Sequence, residues 1–347
     1  MERTIIMIRT HKARTGLRAG ALLAVSALAL TACGGSGNGG EATAGGGEGT
    51  EADAQSYNIA ISQFVTHPSL DAARKGFEEG LEEAGLDVTL DVQNAQGDQA
   101  TANTIAGTFA SAEPDLILAV ATPSALTVAQ AVSDIPVLFT AVTDPVTAKL
   151  VDSLEAPGAN VTGTSDANPV LEQLQLLKEL APEAKRVGVV YSSGEVNSEV
   201  QVEWAKEAAG ELGMEIVEAT VSNSSEVQQA ANSLDVDAFY VPTDNAVVSA
   251  LESLLGVAQN QKIPVIAAEG DSVERGAVAT YGLNYEKLGA QTAEMAVRIL
   301  TEDADPATMP VETPTELELY VNPKAAEAMG VEIPQSMLDE ADHTVGE

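Results

Sequence analysis

From Tyr57 onward, short apolar runs alternate with stretches in which apolar residues recur every three or four positions. The runs Ile59 to Ser62, Val88 to Val92, Leu116 to Val120 and Val137 to Thr140 read as strands. Between the first two, Ser69 to Ala84 has helical spacing and is stopped by Gly85. Strands alternating with amphipathic helices predict an α/β fold with parallel sheets.

The same pattern then repeats. Val187 to Tyr191 reads as a strand, Ser198 to Leu212 as a helix stopped by Gly213, and Glu215 to Ala219 as a second strand. Gly85 follows Ile59 at the same interval as Gly213 follows Val187. Each half next has an aspartate before an apolar strand, Asp115 before Leu116–Val120 and Asp237 before Ala238–Val241. Each strand runs into a small polar loop, Ala121-Thr122-Pro123-Ser124 and Pro242-Thr243-Asp244-Asn245. Each half then carries Ile-Pro-Val, at Ile135 and at Ile263, again at matching intervals. The repeat predicts two similar Rossmann-like lobes with a cleft between them. Ligands of such sheets bind beyond the carboxyl ends of the strands, where loops meet helix N-termini.

The N-terminal segment has a different pattern. Arg3, Arg9, Lys12, Arg14 and Arg18 precede an apolar run from Ala19 to Leu30. That run is shorter than the roughly 20 residues a bilayer span needs, and a basic flank with a short apolar core marks an export signal. It ends in Leu30-Thr31-Ala32-Cys33, which fits a lipobox. Residues 1–32 are therefore expected to be a removed signal peptide outside the fold, and Cys33 the lipidated N-terminus. Residues 33–56, rich in Gly, read as a flexible tether. The protein is expected on the extracytoplasmic face of the cell membrane, held there by the lipid anchor alone.

Composition narrows the chemistry. Cys33 is the only cysteine and takes thiol chemistry with it. Beyond the signal only His67 and His343 remain, too few for a histidine metal cluster, and no metal or other cofactor is expected. The net charge is −35, which repels nucleic acid.

Ordered segments resemble the ABC-transporter substrate-binding lipoproteins that include the tryptophan-binding TrpX proteins. They include Gln63 to Asp71, Ala95 to Asp98, Ala121-Thr122-Pro123 and Ala141 to Pro145. They continue with Asn160 to Gly163, Ser165-Asp166, Asn197-Ser198, Pro242 to Asn245 and Glu269. The resemblance implies a type I periplasmic-binding fold with three hinge crossovers. Residues 57–164 with about 284–312 form lobe 1, and 165–283 with about 313–347 form lobe 2. It also implies a small-molecule solute, expected to be an amino acid, with an aromatic one among the candidates, ABC permease and ATPase partners and a monomeric chain. Nucleoside- or sugar-binding proteins of the same fold, a sensory lipoprotein, and an enzyme using Asp244 and Glu269 as an acid–base pair are the alternatives.

An amino acid needs partners for both its charges in a dry cleft. Thr122, Ser124 and Thr143, at strand ends next to helix starts, are expected to hold the carboxylate. Asp244 is the expected partner of the ammonium, with Glu269 second. Asp166 and Asn197 are expected at the cleft edge, and Gln63 and His67 on a loop that closes over the ligand. Phe64, Phe139, Tyr191 and Tyr281 offer aromatic surface, whereas Trp204, on an apolar helical stripe, reads as core.

Overall fold

The structure is a computed structural model that describes residues 3–8, 56–314 and 316–346. Cys33 and the tether lie outside the described residues. No helix among the described residues is long and apolar enough to cross a membrane.

Two α/β lobes form, each around its own sheet and core. The first sheet runs Arg3–Ile8, Asp87–Asn94, Ser56–Gln63, Leu116–Val120, Val137–Thr140, Val161–Gly163. The second runs His343–Thr344, Glu318–Val321, Ala279–Gly282, Val265–Ala267, Ala238–Val241, Arg186–Ser192, Glu215–Val221. Five adjacent strands in each sheet follow the same connection order, so the sequence repeat is a repeat of structure. The central strands are apolar throughout and buried, as in Leu116–Val120, because helices cover both faces of a parallel sheet.

Two pairings break the parallel rule. Glu318–Val321 arrives from the other lobe through a crossover and pairs antiparallel with Ala279–Gly282. Arg3–Ile8 pairs antiparallel with Asp87–Asn94, although residues 1–32 were expected to lie outside the fold. The physical reason is an open sheet edge: Asp87–Asn94 presents unpaired backbone groups, and Thr-Ile-Ile-Met-Ile has strong strand propensity.

The crossovers lie side by side. Glu312 donates its N–H to the Gly163 carbonyl at 3.0 Å, and Ser165 N–H donates to the Glu312 carbonyl at 2.8 Å. Helix Tyr285–Glu302 returns to the first lobe and packs on helix Pro68–Glu83. The contact is backbone against backbone. A Cβ on Gly289 would lie 1.8 Å from the Ala73 carbonyl oxygen, and one on Gly76 2.0 Å from that of Glu286. This close approach fixes the start of the returning helix, where Tyr285 enters the cleft.

Candidate functional site

The carboxyl ends of both sheets face one cleft. Its inner chamber encloses about 310 Å³ of space between the lining residues, open solvent at the mouth included.

The first lobe forms its wall at two adjacent strand ends. Leu116–Val120 and Val137–Thr140 are parallel neighbours, and each ends in an alanine with positive φ. Ala141 has φ 56°, and Ala121 has φ 79° with ψ 152°, a region that side-chain-bearing residues rarely occupy. Ala121 makes the whole turn from strand to helix, because helix Thr122–Ala131 starts at the next residue. Both alanines line the chamber. Such strain, of order 1–3 kcal/mol per residue, persists where the surroundings enforce it and is concentrated at binding sites.

The polar lining consists largely of acceptors. Asp166 is buried; it accepts from Tyr285 Oη at 2.7 Å and from Thr143 Oγ1 at 3.0 Å. Glu269 is 2 % exposed and accepts from the backbone N–H and the hydroxyl of Ser272. Burial raises the pKa of both, and burial together with nearby Asp271 pushes Glu269 up to about 7. No arginine or lysine lines the chamber. Two buried acids thus face a space with no cation, an arrangement that is costly unless a ligand supplies one.

Three other chamber residues carry buried polar atoms with no hydrogen-bond partner: His67 Nδ1, Ser69 Oγ and Asn197 Oδ1. The roles of two follow from their neighbours. Asn245 gives its amide N–H to Glu195, so its Oδ1 is the acceptor facing His67 Nε2 at 3.3 Å. His67 therefore carries its proton on Nε2, and Nδ1 is a free acceptor. Burial lowers the His67 pKa to about 4, so the ring is neutral. Asn197 gives its amide N–H to Glu195 and to the Thr243 carbonyl, leaving Oδ1 as an acceptor.

Of the residues chosen from sequence, His67, Thr143, Asp166, Asn197 and Glu269 meet in this chamber. Four do not line it. Gln63 spends its amide on the Val65 carbonyl and Asp71 and accepts from Arg74. Ser124 faces Ser62 at 3.4 Å. Thr122 is buried beside the lining residue Ala121, and its hydroxyl has no partner. Asp244 is fully buried and committed to its own lobe: it caps helix Asn245–Ser249 through Val247 N–H at 2.8 Å. It also accepts from Ser192 N–H at 2.6 Å and Ser198 Oγ at 2.7 Å. Asp244 and Glu269 therefore do not form an acid–base pair across the chamber. Thr143 is present but gives its proton to Asp166 and accepts from Gln201, so its hydroxyl is already spent.

The sequence reading missed Tyr285, Ser69, Thr243 and Asn245. The last three sit inside segments that had been singled out, where a neighbour was preferred. Tyr285 is placed by a crossover and carries no local signal. Of the four aromatic candidates, Phe139 is fully buried in the first core and Phe64 borders a second cavity described below. Tyr191 and Tyr281 pack, half-buried, against the second core, as does Trp204.

Known proteins share this fold. A family model described as ABC transporter substrate binding protein matches residues 58–345. A protein of Clostridioides difficile named tyrosine-binding protein is 46 % identical over 79 % of this chain and 81 % of its own. A solved structure titled as an ABC domain in complex with L-Trp, from Streptococcus pneumonia, is 36 % identical. It covers 84 % of this chain and all of its own, with a TM-score of 0.81. A ligand-free, open structure of a substrate-binding protein from Clostridium difficile is 46 % identical over the same shares, yet its TM-score is 0.64. The less similar sequence superposes better, so the lobes here are arranged as in the complex rather than as in the open form.

Proposed function

Because the chain belongs to the ABC transporter substrate-binding proteins, we propose that it captures a free aromatic amino acid, tyrosine or tryptophan, between its lobes and delivers it to an ABC importer. The observation that carries this reading is the imbalance of the inner chamber: Asp166, Glu269, His67 Nδ1 and Asn197 Oδ1 all accept, and no cationic side chain answers them. A ligand with an ammonium group and a further N–H or O–H donor completes the set. Glu269 is the ammonium partner, taking the role first given to Asp244, and Asp166 adds negative potential. The phenol O–H of tyrosine or the indole N–H of tryptophan meets the neutral acceptors. Leu70, Val248, Ala121 and Ala141 supply apolar wall. The ligand's carboxylate, with no arginine or lysine available, goes to backbone N–H groups at the start of helix Thr122–Ala131. The names of the tyrosine-binding and L-Trp-bound relatives support the same ligand class.

The protein acts outside the cytoplasm, anchored through lipidated Cys33 and its tether, and the strand Arg3–Ile8 belongs to the unprocessed chain and leaves with the signal peptide. Native mass spectrometry of the purified protein is expected to show a copurified mass matching one of the two amino acids. A copurified sugar or nucleoside would contradict the reading. For the anchor, Cys33→Ser is expected to fold normally and to leave the membrane fraction; a variant as membrane-bound as the wild type refutes the lipoprotein assignment.

A further inference from the structure

Next to the inner chamber lies a larger one, with about 770 Å³ of empty space. Phe64, Gln99 and Pro123 line it from the first lobe and Ser192, Glu195 and Ser222 from the second. Asn245 borders both chambers, so its contact with His67 divides them.

Glu195 has no use in the inner chamber. It stands at the N-cap position of helix Val196–Glu211, yet its side chain makes no capping bond there. It is 5 % exposed, and its three hydrogen bonds, from Asn197 Nδ2, Asn245 N–H and Asn245 Nδ2, all go to Oε2. Oε1 has no hydrogen-bond partner among the described residues, and it is not one of the sealed-off buried atoms that lack one. No lysine, arginine or histidine among the described residues pairs with this carboxylate, and the charge that acts on it is another acid, Asp244. A buried carboxylate with one oxygen locked by amides and the other free toward a cavity is built to receive a positive charge. Burial, with Asp244 adding to it, holds the Glu195 pKa up at about 8 while no cation is present.

The kind of cation follows from the rest of the wall. A hard metal ion needs six or more oxygen ligands, whereas Glu195 is the only carboxylate on this lining. Phe64 and Pro123 offer apolar surface, and the space suits an organic body. We propose that the outer chamber is a second binding station, for a primary organic ammonium ion carried on an apolar group, held by Glu195 Oε1. The station would take the amine end of a ligand at the mouth of the cleft, separately from the site behind the His67–Asn245 contact. It builds on the proposed amino-acid reading only in using L-tyrosine to fill the inner chamber.

The test is calorimetric titration of phenethylammonium into the full-length purified protein, alone and with saturating L-tyrosine, in the wild type and in Glu195→Gln. Gln keeps the size and the acceptor toward Asn245 and removes the charge. Phenethylammonium is expected to bind with L-tyrosine already present, to weaken tenfold or more in Glu195→Gln, and to be unmatched by phenylacetate. Failure to bind the wild type, displacement by L-tyrosine, or equal binding to Glu195→Gln overturns the proposal. Should L-tyrosine itself not bind, the reading of the inner chamber fails, and the wild-type against Glu195→Gln comparison still decides the outer one.

Discussion

His67 Nε2 and Asn245 Oδ1 meet at 3.3 Å across the cleft, joining a loop of the first lobe to the start of a helix in the second. Thr143 and Thr243, 3.3 Å apart at their hydroxyls, make a parallel connection. Both hold the closed arrangement. On the proposed reading the ligand binds between the closed lobes, so what stabilises closure adds to affinity. His67→Ala removes the first connection and leaves the Asn245 acceptor unpaired. A net hydrogen bond contributes about 0.5–1.5 kcal/mol, so L-tyrosine affinity should fall about two- to twelvefold. Small-angle scattering of the ligand-free variant should show a larger radius of gyration than the wild type. An unchanged radius and affinity would remove this contact from the closing mechanism.

The same buried groups set a pH dependence of stability. Glu195 and Glu269 have folded-state pKa values raised to about 8 and about 7 by burial. A carboxyl raised on folding favours the native state while protonated, and that advantage is lost as pH rises toward the folded value. His67 is lowered to about 4, so its contribution grows between about pH 4 and its ordinary value near 6.5 and is constant above. Above pH 6.5 only the carboxyls still titrate. The ligand-free melting temperature should therefore fall between pH 6.5 and 8.5. Each 1 kcal/mol lost corresponds to about 2–4 °C in a domain of 150–250 residues. The double variant Glu195→Gln, Glu269→Gln should be flatter over that range. A wild-type melting curve that rises with pH there would contradict the assignment.

Asp244 and Glu269 separate stability from recognition. Asp244→Ala removes a cap worth about 1 kcal/mol and orphans the buried Ser192 N–H and the Ser198 hydroxyl, each at about 1–3 kcal/mol. Its melting temperature should drop clearly while L-tyrosine affinity, measured well below melting, changes less than about threefold, the effect of 0.65 kcal/mol. Glu269→Gln should do the reverse. Its neutral amide removes the cost of a buried charge and can still accept from Ser272, so stability is kept or improved, and the ligand's ammonium loses its partner. Truncating one side of such a pair costs about 2–5 kcal/mol. A large affinity loss in Asp244→Ala with an unaffected Glu269→Gln would return the ammonium to Asp244.

The fold was legible because its signals are local. Strand and helix periods, the glycine stops at Gly85 and Gly213 and the Ile-Pro-Val pairs each reflect one element, and their recurrence reports two lobes. The site was legible in part. Asp166, Asn197, Thr143, His67 and Glu269 stand at strand or loop ends, where this architecture places ligands. Asp244 misled because a helix cap and an ammonium partner call for the same residue type at the same place, and only the hydrogen bonds from Ser192, Ser198 and Val247 tell them apart. Tyr285 and Glu195 were not readable, since the role of each depends on neighbours brought from elsewhere in the chain: Asp166 across the hinge for one, Asn245 for the other.

On the proposed reading, the inner chamber recognises an ammonium group through acceptors that have no cation of their own. The most direct measurement is a pair of calorimetric titrations at one pH, with L-tyrosine and with 3-(4-hydroxyphenyl)propionate, which keeps the phenol and the carboxylate and lacks the amine. L-tyrosine should bind and the propionate should bind at least about 30-fold more weakly, the equivalent of about 2 kcal/mol. Equal affinity for the two, or no binding of either L-tyrosine or L-tryptophan, would contradict the account.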